Sequence, residues 1–294
     1  MIEVEKYISQ LVQKGRIFRG HSLRLDTVLN KNPVGCQVLS YHSGLEKYMI
    51  THLIMADLDD ETNQQLKERY LAFENTDSPH LAKIYDLGFR SNYFFAICED
   101  IPGIPLSEKL KESPLDPLEA LQLLLPVAET LVDLWSQGII YHCLHPMAIK
   151  MAPSGRLKLE LPLFAGVHTD HGEGQVMHNI LCSRMGCYWA PEEVDHSDYD
   201  FRADVFSFGV ILYEALTGEA PFFTYSEDDQ RSSLNPQLVN PYIDDHATGI
   251  LQRLLESRPE KRCNSPEHFL SMLRELYESY RTPNSSDPSP NTST

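Results

Sequence analysis

Basic residues are in short supply: this 294-residue chain holds 25 Lys and Arg against 42 Asp and Glu, for a formal net charge of −17. Nucleic acids and anionic membranes are held by clustered cations, so this balance argues against both as partners. Long apolar runs are missing too. The longest, near "VFSFGVILYEAL", falls well short of the ~18 residues that mark a membrane span. The six cysteines have no paired spacing, which excludes a disulfide framework and leaves a cytoplasmic protein with free thiols as the default. The start, "MIEVEKYISQLVQKGRIF", has early acids and no apolar core, and does not read as a signal peptide. No internal repeat is visible.

What is present is the composition of a globular protein, 42% hydrophobic, with length for one two-lobed domain or two ordinary ones. Over residues 1–20, Val4, Tyr7, Ile8, Leu11 and Val12 share one helical face and predict an amphipathic extension. "LRLDTVL", "CQVLSYH" and "YMITHLI" read as strands separated by turns, "DETNQQLKERYLAF" as a helix, and "AKIYDLGF" and "YFFAICED" as two further strands. From residue 100 the pattern turns helical. Asp116-Pro117 and Gly138 bound a helix over 117–136. Its expected buried stripe is Leu118, Leu121, Leu125, Ala128, Val132 and Trp135, and Pro126 should kink it. "RLKLEL" alternates strictly, with Leu157, Leu159 and Leu161 on one face, and should pair with 149–151 across Pro153-Ser154-Gly155. Apolar and amphipathic helices follow at 204–216 and near 265–280. Residues 283–294, rich in Ser, Pro and Asn, read as a disordered tail.

Strands, a helix, more strands, a hinge and a helical half occur here in one order. With "TDSPHLAKIYDLG", "YWAPEEV" (188–194), "ADVFSFGVILYEALTGEAPF" (203–222) and "RPEKRC" (258–263) placed along it, the chain resembles the protein kinase superfamily, with a Ser/Thr flavour of bacterial type. Four motifs in family order are more specific than any one of them. The resemblance implies an α+β, bilobal protein-kinase-like fold: a small antiparallel-sheet N-lobe with one helix over 21–99, and a larger helical C-lobe over 100–282. It also implies structural roles. Glu192 and Arg262 should form a buried ion pair, and Asp204 should accept hydrogen bonds from the 141–143 turn.

The same resemblance locates where phosphoryl transfer should occur, and the residues there are unexpected. Kinase chemistry rests on positioning and charge neutralisation by a strand Lys, a helix Glu, a catalytic Asp and the ligands of magnesium. In "IIYHCLHPMAIKM" (139–151), aligned on Pro146, the His-Arg-Asp positions become Tyr141, His142 and Cys143. The following Lys becomes His145 and the magnesium Asn becomes Ala148. Asp-Phe-Gly becomes Leu161-Pro162-Leu163. The strand Lys falls on Thr51, with His52 beside it on the opposite face, and the helix Glu falls on Arg69, or on Glu68 with a slip of one. In the glycine-rich loop, Asn30 and Asn32 replace glycines and only Gly35 matches. Cys98, Glu99 and Asp100 form the hinge beside the vestigial adenine pocket. Neighbours such as Glu160 point to the wrong face of their strand.

On these residues the expectation is a pseudokinase: not an enzyme, with no cofactor and no metal, poor at binding ATP and magnesium, acting in cytoplasmic signalling as a scaffold or regulator of a protein partner. The alternatives are a nucleotide sensor without turnover and an atypical phosphoryl or nucleotidyl transferase with a rebuilt site. Two sharper site readings carry blander counterparts. Cys143 near His142 and His145 has nucleophile chemistry but no third orienting group, and reads more simply as a half-buried filler. His168, His171, His178, Cys182 and Cys187 match no tight zinc motif, and read as a solvated loop. The acids of "DLDDE" (57–61) read as a solvated turn at a helix start.

Overall fold

A computed structural model describes residues 23–31, 35–55, 60–90, 93–142, 144–162, 186–194, 199–221 and 235–282. The expected N-terminal helix and C-terminal tail lie outside these residues. The first lobe is an antiparallel sheet of β1 (Leu23–Lys31), β2 (Gly35–His42), β3 (Lys47–Met55), β4 (Ile84–Arg90) and β5 (Tyr93–Glu99), in spatial order β1-β2-β3-β5-β4. Helix α1 (Asp60–Asn75) lies between β3 and β4 in the chain. Side chains alternate across the strands, and the two faces of this sheet have different fates. Met49 and Leu53 of β3 join Leu23, Leu25, Cys36, Val38, Tyr93 and Ile97 in a small core of their own. Ile54 joins Leu66, Tyr70 and Phe73 of α1, with Phe94, Ala96 and Cys98, in the main core that continues into the second lobe.

The second lobe contains β6 (Ile104–Pro105), α2 (Leu106–Leu110), α3 (Pro117–Ser136), β7 (Ile149–Met151), β8 (Leu157–Leu159), α4 (Pro191–Val194), α5 (Arg202–Thr217), α6 (Asp245–Leu254), α7 (Pro259–Arg262) and α8 (Pro266–Arg281). Helix α3 starts where its cap dictates: the Asp116 carboxylate accepts from the amides of Leu118 and Glu119 at 2.9 and 3.4 Å. It stops at Gly138, whose φ of 76° only glycine adopts freely. The predicted stripe is corrected. Leu121, Ala128 and Trp135 are buried, but so are Ala120, Leu124, Val127, Leu131 and Leu134, while Leu118, Leu125 and Val132 are half-buried. The helix packs against α8, α5 and β8 at once, so its apolar face is wider than a single stripe. Leu157, Leu159 and Leu161 are buried together as the alternation requires. No helix among the described residues is long and apolar enough to cross a membrane.

Strand β8 joins the lobes. It pairs with β7 on one side. On the other, Leu159 donates its amide to His80 O and accepts from the Ala82 amide, both at 2.8 Å. At the hinge, Lys158 Nζ reaches both oxygens of Glu99 at 2.7 and 2.6 Å.

Candidate functional site

The cleft face of β3 differs from its sequence expectation. Thr51 shares the face of Met49 and Leu53, and its hydroxyl lies 2.8 Å from that of Ser40 on β2. His52 is the residue that points toward α1: its Nδ1 is 2.8 Å from the Tyr70 hydroxyl, and its Nε2 is 3.2 Å from Gln37 Nε2. Thr51, the expected counterpart of the family's strand Lys, therefore faces the small core of the sheet, while His52 on the opposite face meets α1, as strand alternation requires. Burial pulls the His52 pKa down to about 3, so the ring is neutral at ordinary pH.

Helix α1 presents three consecutive side chains in different directions. Glu68 is exposed and accepts from Gln64. Arg69 points away from β3, donating to Ile140 O and, at 3.4 Å, to Tyr141 O at the head of the 139–149 loop. Tyr70, wholly buried, faces His52 and donates to Pro162 O at 3.4 Å. One tyrosine thus touches β3 and the segment just after β8, where the family's lysine and carboxylate would meet.

The loop around residue 142 is built from below by α5. Asp204, in the first turn of that helix and 1% exposed, accepts from the Tyr141 amide at 2.6 Å, the His142 amide at 2.9 Å and Trp135 Nε1 at 2.9 Å. Burial still raises its pKa. These bonds hold His142 at φ 57°, the left-handed region that a side chain with a Cβ rarely occupies. The His142 ring is buried, with Nδ1 3.2 Å from Glu193 Oε1 and its edge against Tyr199 at 4.6 Å between centroids. The adjacent Glu192 makes a two-pronged pair with Arg262, at 2.5 and 2.8 Å. Arg262 is wholly buried and also donates to Arg202 O, Glu256 O and Ser257 O. A forked guanidinium with every arm occupied is the geometry that makes a buried pair tolerable.

At the far side of the cleft, Glu160 turns outward to Lys150 at 3.1 Å, and its carbonyl accepts from the Tyr141 hydroxyl. Leu161 is buried in the main core. His145 caps the turn Pro146–Ala148 by accepting from the Ala148 amide at 3.2 Å, and burial lowers its pKa to about 4. Gly35 lies opposite Ile54, where a Cβ would come within 2.2 Å of Leu53 O, so close strand packing explains this glycine. Cys98 is buried and its thiol is pushed upward in pKa by that burial, which makes it unreactive. Glu99 faces Lys158, and Asp100 is half-buried beside it. The side chain of Asn30, and all of Asn32, Cys143, Leu163, His168, His171, His178 and Cys182, lie outside the described residues. Cys187 is described and half-buried.

Among the described residues no group of three or more His, Cys, Asp or Glu is arranged to hold a metal ion. The described groups at the expected positions are a hydroxyl (Thr51), a methyl (Ala148) and an isobutyl (Leu161), with the neutral imidazole of His52 beside the first. This set does not fit a magnesium triphosphate, which needs ammonium and carboxylate partners. Sequence reasoning missed the Tyr70–His52 contact, the Trp135 donor to Asp204, the His142–Glu193 pair and the Lys158–Glu99 pair.

Comparison with known proteins places this geometry. The family model described as "Protein kinase domain" matches residues 37–273. A probable serine/threonine-protein kinase of Clostridium perfringens is 23% identical over 225 residues, 74% of this chain and 32% of the relative. The serine/threonine-protein kinase ULK3 of Xenopus laevis is 31% identical over 204 residues, 67% of this chain and 43% of the relative. The serine/threonine-protein kinase PrkC of Bacillus subtilis is 21% identical over 230 residues, 76% of this chain and 35% of the relative. The chain therefore spans less than half the length of each of these three relatives. Their names correct the expectation that the chain is not an enzyme, because relatives named as protein kinases point to one. With the match covering both lobes, from β2 to α8, this chain belongs to the protein kinase domain family.

Proposed function

We propose that this kinase-family chain acts in signalling as a regulator or scaffold that binds another protein, and that its fold is held closed by its own side chains rather than by magnesium nucleotide. The observation that carries this reading is the Tyr70 hydroxyl, placed between His52 of β3 and Pro162 O after β8. Arg69 supports it by tying α1 to the carbonyls of Ile140 and Tyr141. In a kinase these elements are aligned through charges that also meet the nucleotide. Here neutral and one-sided contacts do the aligning. A cytoplasmic setting accords with the free thiols of Cys36, Cys98 and Cys263. The test is a melting curve titrated with ATP, with and without magnesium. A ligand at a hundredfold its Kd stabilises by about 2.7 kcal/mol; the expected result is no shift. A magnesium-dependent rise would overturn the reading.

The second reading is a phosphoryl or nucleotidyl transferase whose site is assembled from other groups, and the names of the relatives favour it. Transfer of label from the γ- or α-phosphate of ATP to protein, measured with magnesium and manganese, separates it from the first.

A further inference from the structure

Between α5 and α6, the segment from Asn235 to Ile243 turns apolar side chains outward. Leu238 is 84% exposed, Tyr242 85% and Val239 48%. Leu238 and Tyr242 are the most exposed large apolar side chains among the described residues. The exposed aromatics elsewhere have company: Tyr48 packs edge-on to Tyr41, Tyr85 lies under Lys47, and Phe89 packs on Phe94. Isolated exposed apolar residues are ordinary, whereas several on one short segment mark a contact surface.

This segment is also pinned. Pro236 and Ile243 are buried at its two ends. Asn235 Oδ1 accepts from the Gln237 amide at 3.0 Å, and Gln237 Nε2 donates to Ile243 O at 3.1 Å and to Asp245 Oδ1 at 2.9 Å. Asn240 Nδ2 reaches Leu216 O on α5 at 2.7 Å, and its Oδ1 accepts from the Tyr242 amide at 3.0 Å. Three side-chain amides thus fix the backbone while the apolar groups stay in water. A surface already fixed loses little conformational freedom on binding.

Charge selects the occupant. Asp244 and Asp245 are exposed immediately after the patch, no Lys or Arg occurs from Asn235 to His246, and the whole chain carries −17. A second copy of so acidic a chain is disfavoured by like charge, and a cationic partner is attracted. We propose that Leu238, Val239 and Tyr242 form a docking patch for a partner-protein segment carrying an apolar side chain beside Lys or Arg. This rests on the regulator reading and gives it a surface.

The experiment uses the full chain. Hydroxyl-radical footprinting of the free protein should label Leu238 and Tyr242. Protection of both would mean that another part of the chain, or a second copy revealed by sedimentation, covers the patch, and would overturn the proposal. Random peptides displayed on phage are then selected on the chain, and enriched sequences are titrated as labelled synthetic peptides. Peptides pairing Leu, Ile or Phe with Lys or Arg should emerge. L238S/Y242S should weaken them at least about tenfold, D244N/D245N should weaken them less, and Y48S should leave them unchanged. Failure to enrich any peptide, or enrichment of peptides without basic residues, overturns the proposal. Selected peptides indifferent to L238S/Y242S overturn this surface while leaving the regulator reading intact.

Discussion

Acidification should loosen this protein through His52, and the size of the effect follows from where that ring sits. Burial holds its pKa at about 3, against an unfolded value near 6.5. Between those values only the unfolded chain takes up the proton. The stability contributed by a neutral His52 is complete above about pH 6.5 and is lost as pH falls from there toward 3. Moving from about pH 7.5 to about 5 crosses roughly 1.5 units of that window, a loss of about 2 kcal/mol. His145, held at about 4 for the same reason, titrates in the same window and adds to the loss. The substitution His52→Gln removes the titrating group and keeps a polar partner for Tyr70. Urea unfolding of both proteins at the two pH values gives the difference of differences, which cancels any pH-independent cost of the substitution. The variant should lose about 2 kcal/mol less than the parent over this interval. If both lose equally, His52 is not held neutral by burial and the account of the β3–α1 contact fails.

The Glu192–Arg262 pair gives a larger effect: Glu192→Gln or Arg262→Met should cost about 3–5 kcal/mol in chemical denaturation, and the double change should cost less than the sum. Asp204→Ala leaves the amides of Tyr141 and His142 and the Trp135 indole without their acceptor, at about 1–3 kcal/mol each, not additively. Its Trp emission should shift as well. At Gly103, with φ 136°, a Cβ would come within 2.0 Å of Met151 O. Gly103→Ala should therefore lower the melting temperature, while Gly186→Ala, whose Cβ meets nothing within 4 Å, should not.

Much of the fold was legible because local pattern and burial agree. The alternation of Leu157, Leu159 and Leu161, and the Asp116 cap followed by a helical apolar pattern, each point to one answer. The cleft was harder for a definite reason. In "YMITHLI" both faces of the strand are apolar: Met49 and Leu53 enter one core, Ile54 the other. A period of two then cannot say which face meets the helix, and Thr51 and His52 are equally polar candidates. The same ambiguity affects Glu68, Arg69 and Tyr70, where about 100° of helix per residue decides which side chain looks inward. Nor does any residue type announce the left-handed backbone at His142. It is imposed by Asp204, which lies 62 positions further along the chain.

The two-sided pairing of β8 has a consequence for anyone who would divide this protein. A cut at the hinge would leave residues 80–82 in one fragment and the bare edge of β8 in the other, with Lys158 stripped of its counter-charge. Open strand edges recruit further strands. The halves should therefore clump when expressed apart and recover when expressed together. A tag, probe or permuted terminus belongs instead at the solvent-facing Lys111–Pro114 turn, where the chain crosses no such seam.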